Sequence, residues 1–583
     1  MTRMKEFKGI SVSPGIALGK VFLLKEEKYS IPRYTIQAKD VKAEITRFSG
    51  AIGNAIEEIR RLQEKSATEM GEQEKQLLDS HITMLSDAEF TGDIVKKVHD
   101  SKMNVEWILL QVIEELTKKI NESSDEYIRA RSLDIHDVSR RVMRHLLLRE
   151  RVSLADLAEE VIIVAHNLLP SDAIGMNKKM VRGIAVDLGS KTSHTAIIAR
   201  SFNIPSVMGL SEISLQAADG DDIIIDGNRG VVVVQPAAEM KTAYHTTLVK
   251  WHRHEKKLEE LKKLKAETRD GKMIALSANI EVAEEVDAVI KHGADGIGLF
   301  RSEFLFMRSP SVPTEEEQYR TYKYVLERMK GKKVTIRTLD LGGEKMVPGL
   351  KIEAEDNPIL GWRAVRYCLA KPDVFKAQLR AMFRASVHGN LEIMFPMISG
   401  IEELLKVLDV LDQVKHELKK EKTEFRKDIP VGAMIEVPSA ALTSEILARK
   451  VDFFSIGTND LIQYTIAVDR SNEKIAYLYE PFHPGVLRLV KMIIDNAHEA
   501  GIPVSMCGEM AGDPHAAVVL LGLHLDQFSM SSFSIPEIKN IIRNVNFRET
   551  EEVVEAILKM KFSQEIDEYV RDWMEARLAV VTY

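Results

Sequence analysis

Between residues 8 and 25 apolar and polar positions alternate on both sides of Ser13, Pro14 and Gly15, the pattern of short strands joined by a turn. From about residue 38 to 148 the period changes. Ile56, Ile59 and Leu62, then Ile128, Leu133, Val138 and Val142, fall at helical spacing with almost no glycine or proline, which predicts a helical bundle. Strand-forming runs return at 160–165, 183–186 and 222–235, the last with a turn at 226–230. The first 25 residues are too few to form a core alone. The pattern therefore predicts one α/β domain made of residues 1–25 and 151–235, interrupted by a bundle at 26–150. A charged stretch, 236–268, has the composition of an exposed connecting helix.

After Gly271 short apolar runs alternate with helical patterns. The runs lie at 274–278, 296–300, 334–340, 391–395, 431–436, 453–457, 504–507 and 527–530. Eight strands alternating with helices over about 300 residues are the count of a (β/α)8 barrel, here residues 269–583. The fold class predicted is multidomain α/β: a split α/β domain, an inserted helical bundle, a linker helix and a C-terminal barrel.

Composition narrows the setting. A net charge of −8 argues against a nucleic-acid binder. Two cysteines give no disulfide framework, the N-terminus lacks a signal-peptide pattern, and no apolar run reaches the ~18 residues of a membrane span. A cytoplasmic protein without membrane insertion is the expectation.

Candidate chemistry concentrates in two places. In residues 187–200 an apolar strand precedes His194 and a helical pattern follows it, with Thr192 or Ser193 as N-cap. Unpaired N–H groups and the positive dipole end there favour a phosphate, beside which a neutral imidazole can accept a phosphoryl group. A capped helix with an incidental histidine remains the alternative on this stretch alone. A P-loop is the poorer reading, because Ala185 and Ser190 stand where it needs glycines.

The second place is the row of strand ends in the barrel. Arg301, Arg337, Glu436, Asn459, Asp460 and Cys507 fall at or just past C-terminal strand ends, where barrel active sites assemble. Glu436 and Asp460 offer hard oxygen ligands for Mg²⁺. Arg301, Arg337, Arg363 and Arg470 offer planar forks for phosphate and carboxylate groups. Residues 457–460 suggest a tight turn close to a ligand. Cys507 is either a proton donor to a carbanion or a buried thiol, and Cys368 reads as core. On the helical insert, seven acids (Glu64, Glu69, Glu72, Glu74, Asp79, Asp87 and Glu89) against two lysines make a solvated face or a dock for a basic partner.

Several segments carry a resemblance. They are residues 13–17 (SPGIA), 192–200 (TSHTAIIAR), 298–306 (GLFRSEFLF), 357–363 (NPILGWR), 434–439 (MIEVPS), 452–464 (DFFSIGTNDLIQY) and 505–510 (SMCGEM). With them the chain, from Gly9 to about Arg543, resembles Enzyme I of the bacterial phosphotransferase system. The resemblance implies that phosphoenolpyruvate binds with Mg²⁺ at the barrel mouth and gives its phosphoryl group to His194. The enolate is then protonated, by analogy from Cys507, to leave pyruvate. His194 next passes the phosphoryl group to a histidine of the phosphocarrier HPr, docked on the insert. By the same resemblance Glu436 and Asp460 hold the metal, and Arg301, Arg337, Lys345, Asn459 and Arg470 hold substrate with Arg363 nearby. His81 and Arg131 match family positions at the docking surface, and a homodimer forms through the barrels.

This chain departs from the family pattern around the histidine. It has Ser190 after Gly189 where two glycines are usual, Leu169 and Ala173 where threonine is usual, and in the barrel Glu344 for aspartate. A regulatory, phosphoenolpyruvate-sensing paralogue with little role in sugar transport is the alternative these departures keep open; the nitrogen-branch paralogue usually carries a further N-terminal sensory domain, not expected here with the family start at Gly9. A pyruvate–phosphate dikinase or phosphoenolpyruvate synthase would need a nucleotide-binding domain before the histidine domain.

Overall fold

The computed structural model describes residues 4–24, 31–65, 72–121, 126–148, 154, 157–189, 199, 204–307, 311–342, 355, 357–470, 472 and 474–578. Contacts divide the chain into two compact units, Met1–His252 and Arg253–Thr582.

The first unit is built on an eight-stranded sheet. Its strands are β1 (Lys5–Lys8), β2 (Ile10–Ser13), β3 (Ile16–Leu24), β4 (Val161–Ala165), β5 (Val181–Val186), β6 (Ser206–Met208), β7 (Asp222–Asp226) and β8 (Val231–Val234). They lie in the order β1-β8-β7-β3-β4-β5-β6-β2, parallel from β3 to β6 and antiparallel elsewhere. Residues from before the insert thus supply a strand to the middle of the sheet. The continuous apolar run of β4 follows from burial on both faces. Ile162 and Val164 pack with Val21, Ile223 and Val232 on one side. Ile163 and Ala165 pack on the other side against the bundle residues Phe48, Leu78, Leu109 and Val138.

The chain between β3 and β4 forms five helices, α1 (Val41–Lys65), α2 (Glu72–Ser86), α3 (Ala88–Ser101), α4 (Val105–Asn121) and α5 (Glu126–Leu146). Each turns one apolar stripe inward. A polar clasp crosses the bundle: Arg47 of α1 donates to Glu44 at 2.7 Å and to Glu106 of α4 at 2.6 Å. A helix, Ala238–Leu261, covers the stretch predicted as the linker.

The second unit is a closed barrel of eight parallel strands. They are β9 (Ala275–Ile280), β10 (Gly296–Arg301), β11 (Lys333–Arg337), β12 (Asn390–Phe395), β13 (Val431–Ile435), β14 (Phe453–Ile456), β15 (Val504–Met506) and β16 (Gln527–Ser531). Pairing of β16 with β9 closes the ring. Each predicted run is one of these strands. Residues 457–460, predicted as a tight turn, instead lead into a helix: Thr458–Ile466 begins directly after Gly457, so Asn459 and Asp460 sit in its first turn. An anionic side chain is stabilised there by the helix dipole. Among the described residues no helix is long and apolar enough to cross a membrane.

Packing outside the strands is equally tight. In the helix Pro514–Gly522 nearly every residue is buried, and a Cβ on Gly522 would lie 2.1 Å from the Thr550 carbonyl oxygen of the neighbouring helix Phe547–Ile557. Backbone cannot yield cheaply at that distance. Gly522→Ala is expected to cost about 1–3 kcal/mol, the usual scale of overpacking, read as a lower urea midpoint; an unchanged midpoint would mean that the two helices separate freely.

Candidate active site

The strand ends of the barrel converge on one cavity of about 370 Å³. Arg301 ends β10 and Arg337 ends β11, while Glu436 and Cys507 directly follow β13 and β15. Arg363 enters from the segment before the helix Val365–Ala370, and Arg470 from beyond the helix Thr458–Ile466. All eight predicted barrel residues that the structure describes, Arg301, Arg337, Arg363, Glu436, Asn459, Asp460, Arg470 and Cys507, line this cavity.

Two carboxylates that sequence reasoning passed over organise the arginines. Asp340 is buried, 3% exposed, and bridges two of them. Arg337 Nη1 lies 2.9 Å from Asp340 Oδ2, and Arg363 Nη2 donates to both Asp340 oxygens at 2.9 and 3.1 Å. Glu303, fully buried, takes the other arm of Arg337. Arg363 Nη2 also reaches Asp460 Oδ2 at 3.1 Å. Burial alone would lower the pKa of Arg337, but Asp340, Glu303 and Glu436 outweigh it, so the group is held firmly charged. Arg363 is held charged in the same way by Asp340, Asp460 and Glu436. Available signals were Glu303 two residues after Arg301 and Asp340 three after Arg337. Neither spacing announces which arginine the acid will hold.

The outer arginines are placed differently. Arg301 pairs with Glu281, at the end of the neighbouring strand. Arg470 is about half exposed and lies 3.8 Å from Glu509, which in turn accepts from Asn459 Nδ2 at 3.0 Å. The Glu509 N–H returns a bond to Asn459 Oδ1 at 2.9 Å, so the amide is oriented from both ends.

Glu436, 2% exposed, accepts the Met397 N–H at 2.7 Å. Burial pushes its carboxyl well above the ordinary range; the charges of Asp460 and Asp340 push the same way, against Arg337 and Arg363. Gly457 allows this close approach, since a Cβ there would lie 2.6 Å from Glu436 Oε2. Two carboxylates that repel each other across a buried cavity are a donor set a hard divalent cation fits, because the cation removes the repulsion and supplies the missing charge. Burial also raises the thiol of Cys507, which keeps it protonated. Cys368 is buried and donates toward the Leu339 carbonyl at 3.8 Å, in the core as expected.

The profile "PEP-utilising enzyme, PEP-binding domain" matches residues 255–547. The profile of the N-terminal part of PEP-utilising enzymes matches 8–131, and that of their mobile domain 157–230. Over 569 residues the chain is 42% identical to a phosphoenolpyruvate-protein phosphotransferase of Listeria innocua, covering 98% of this chain and 99% of that one. The protein of the same name from Bacillus subtilis is 41% identical, with 98% and 100% covered. That from Haemophilus influenzae is 40% identical, with 97% and 98% covered. The chain belongs to the phosphoenolpyruvate-protein phosphotransferase family.

The remaining predicted positions divide in two. His194, Ser190, Glu344, Lys345 and Glu69 lie outside the described residues, and so does the predicted cap at 192–193. Glu72 opens α2 and Arg131 lies within α5. His81 needs a correction: it is not on the surface of the bundle but fully buried, with Nε2 3.8 Å from Asp134 of α5. It faces inward because Leu78 and Leu85, on the same stripe of α2, point into the core. Any effect of His81 on a docked partner therefore passes through helix packing. Leu169 and Ala173, where the family usually has threonine, are buried at the short helix Pro170–Gly175.

Asp340→Asn leaves two buried guanidinium groups without their shared countercharge. The expected cost is about 3–5 kcal/mol of barrel stability, the scale of breaking a buried ion pair from one side. Urea unfolding of the variant checks this, and an unshifted midpoint would mean that Glu303 and Asp460 suffice to hold the arginines.

Proposed function

We propose that this chain transfers the phosphoryl group of phosphoenolpyruvate first to its own His194 and then to the histidine of the phosphocarrier HPr, releasing pyruvate, as the first step of a sugar phosphotransferase system. The observation that carries the reading is the barrel cavity of a member of this family, where four arginines, the carboxylates of Glu436 and Asp460 and the buried thiol of Cys507 meet.

Arg301, Arg337 and Arg470, with Asn459 and, by the family resemblance, Lys345, bind the phosphate and carboxylate of the substrate. Arg363 supports them through Asp340. Phosphate binding exchanges the Arg301–Glu281 pair for a charge-assisted contact to substrate. Glu436 and Asp460 would hold Mg²⁺, which when bound neutralises negative charge on the enolate oxygen and the phosphoryl group. The imidazole of His194 attacks phosphorus as the enolate oxygen leaves, splitting the overall transfer into two steps. Cys507, kept protonated by burial, donates its proton to the methylene carbon and yields pyruvate. The second transfer needs a dock for HPr. By the family resemblance that dock is the helical insert, whose acidic sequence around Glu69 and Glu72, with the exposed Asp79, would complement a basic carrier. Working units of 1–25 with 151–235, 26–150, 236–268 and 269–583, a homodimer joined through the barrels, and a cytoplasmic location complete the proposal.

The test is incubation with ³²P-labelled phosphoenolpyruvate and Mg²⁺. Acid-labile, base-stable label is expected on the wild type and not on His194→Ala, and it should chase onto added HPr. Absence of both label and pyruvate from the wild type would overturn the reading. Glu436→Gln, or removal of the divalent cation by a chelator, is expected to slow labelling by ~100-fold or more, the scale of losing one preorganised charge-stabilising group. Labelling that survives either change would remove Glu436 from the metal site.

A further inference from the structure

Tyr464 stands four positions after Asp460, on the same face of the helix Thr458–Ile466. It is half-buried and lies outside the lining of the cavity. Its hydroxyl meets three segments from elsewhere in the barrel. It donates to the Ile359 carbonyl at 2.6 Å, accepts from Arg363 Nη1 at 3.5 Å and lies 3.9 Å from the Met397 sulfur. Each of these neighbours belongs to the frame of the site. Ile359 and Arg363 line the cavity, and the Met397 N–H is the donor to Glu436.

The phenol serves the edge of Arg363 that the carboxylates do not. Nε and Nη2 of that arginine are committed to Asp340, and Nη2 also to Asp460, while Nη1 faces the hydroxyl. A planar fork bonded along three edges cannot turn without breaking one of these bonds. The bond to Ile359 sets the direction of the O–H, which leaves the oxygen lone pairs toward Arg363. Burial pushes the phenol up to about 12, against the charge of Arg363, so it stays protonated and a donor at neutral pH.

We propose that Tyr464 is a positioning residue of the active site, whose hydroxyl holds the Arg363 fork in the orientation in which it lines the cavity and supports Asp460. The inference rests on the phosphoenolpyruvate reading above and deepens it. Without the oxygen, Arg363 Nη1 has no fixed acceptor on that edge, and the guanidinium gains freedom to swing. Asp460, which shares Nη2 of the same arginine, loses its fixed orientation as well. The cost of ordering both groups then falls on substrate binding.

The experiment measures phosphoenolpyruvate binding by calorimetry with Mg²⁺ present, every variant being built on His194→Ala so that no phosphoryl transfer follows. Tyr464→Phe, which removes one oxygen and keeps the ring, is expected to weaken binding roughly tenfold, the scale of one hydrogen bond to a charged group. With His194 intact, the same change should raise KM by a similar factor and leave kcat nearly unchanged. The deciding comparison is a double-mutant cycle with Arg363→Met. Because the hydroxyl acts through the fork, Tyr464→Phe should alter binding by less than about twofold once the fork is gone. A tyrosine that merely packs would give the same loss in both backgrounds. Additive losses, or binding by Tyr464→Phe within about twofold of its parent, would overturn the proposal. If Arg363→Met binds too weakly to measure, Arg363→Lys, which keeps the charge but not the fork, takes its place under the same criterion. Phosphoenolpyruvate that fails to bind the His194→Ala parent would instead sink the activity reading, and this inference with it.

Discussion

The bridge Arg337–Asp340–Arg363 is the constraint on which the barrel mouth depends. Two guanidinium groups this close in a buried site repel each other and lose hydration, a cost of several kcal/mol per ion unless carboxylates repay it. Asp340 does so for both at once and Glu303 takes the second arm of Arg337. With its arms committed on one side, each arginine is held in a single orientation, which is what a cavity must offer if it is to meet an anion without reorganising. The bridge is possible because β11 and the segment ahead of the helix Val365–Ala370 are both pinned by the closed sheet and its helical layer.

The charge count of the cavity follows from the same arrangement. Its lining has six carboxylates, Glu303, Asp340, Glu436, Asp460, Asp469 and Glu509, against four arginines, a formal excess of two negative charges. Arg363 offsets Asp460, while among the described residues Glu436 has only the backbone N–H of Met397 as a hydrogen-bond donor and is pushed toward its protonated form. The lining thus combines both signs of charge within one enclosed space, where each acts more strongly than in water.

The first unit applies a different principle. Its sheet accepts a strand from each side of a long helical insert, so the bundle is anchored at both ends to the central strands β3 and β4. One face of the sheet and the bundle share a single core. The clasp of Arg47 with Glu44 and Glu106 holds α1 to α4 and gives the bundle a polar register that apolar packing alone would leave loose.

Much of this was legible in the residues themselves. Strand period, turn chemistry and the return of apolar runs every few tens of residues determined the barrel, the insert and the row of functional groups at the strand ends, because these features are local and repeat. Arg301, Glu436, Asp460 and Cys507 could be placed at the barrel mouth for the same reason: position at a strand end is a local property. What only the tertiary structure decided was pairing. That Asp340 serves two arginines, that Glu281 holds Arg301, and that His81 faces the inside of its bundle depend on contacts between distant segments, and no spacing encodes which partner wins. The turn expected at 457–460 became a helix start because the barrel places the chain after β14 where a helix can return along the outside. The meeting of Ile359 and Arg363 at the Tyr464 hydroxyl was likewise invisible beforehand: Tyr464 is an ordinary helix residue until the closed barrel brings the other two to it.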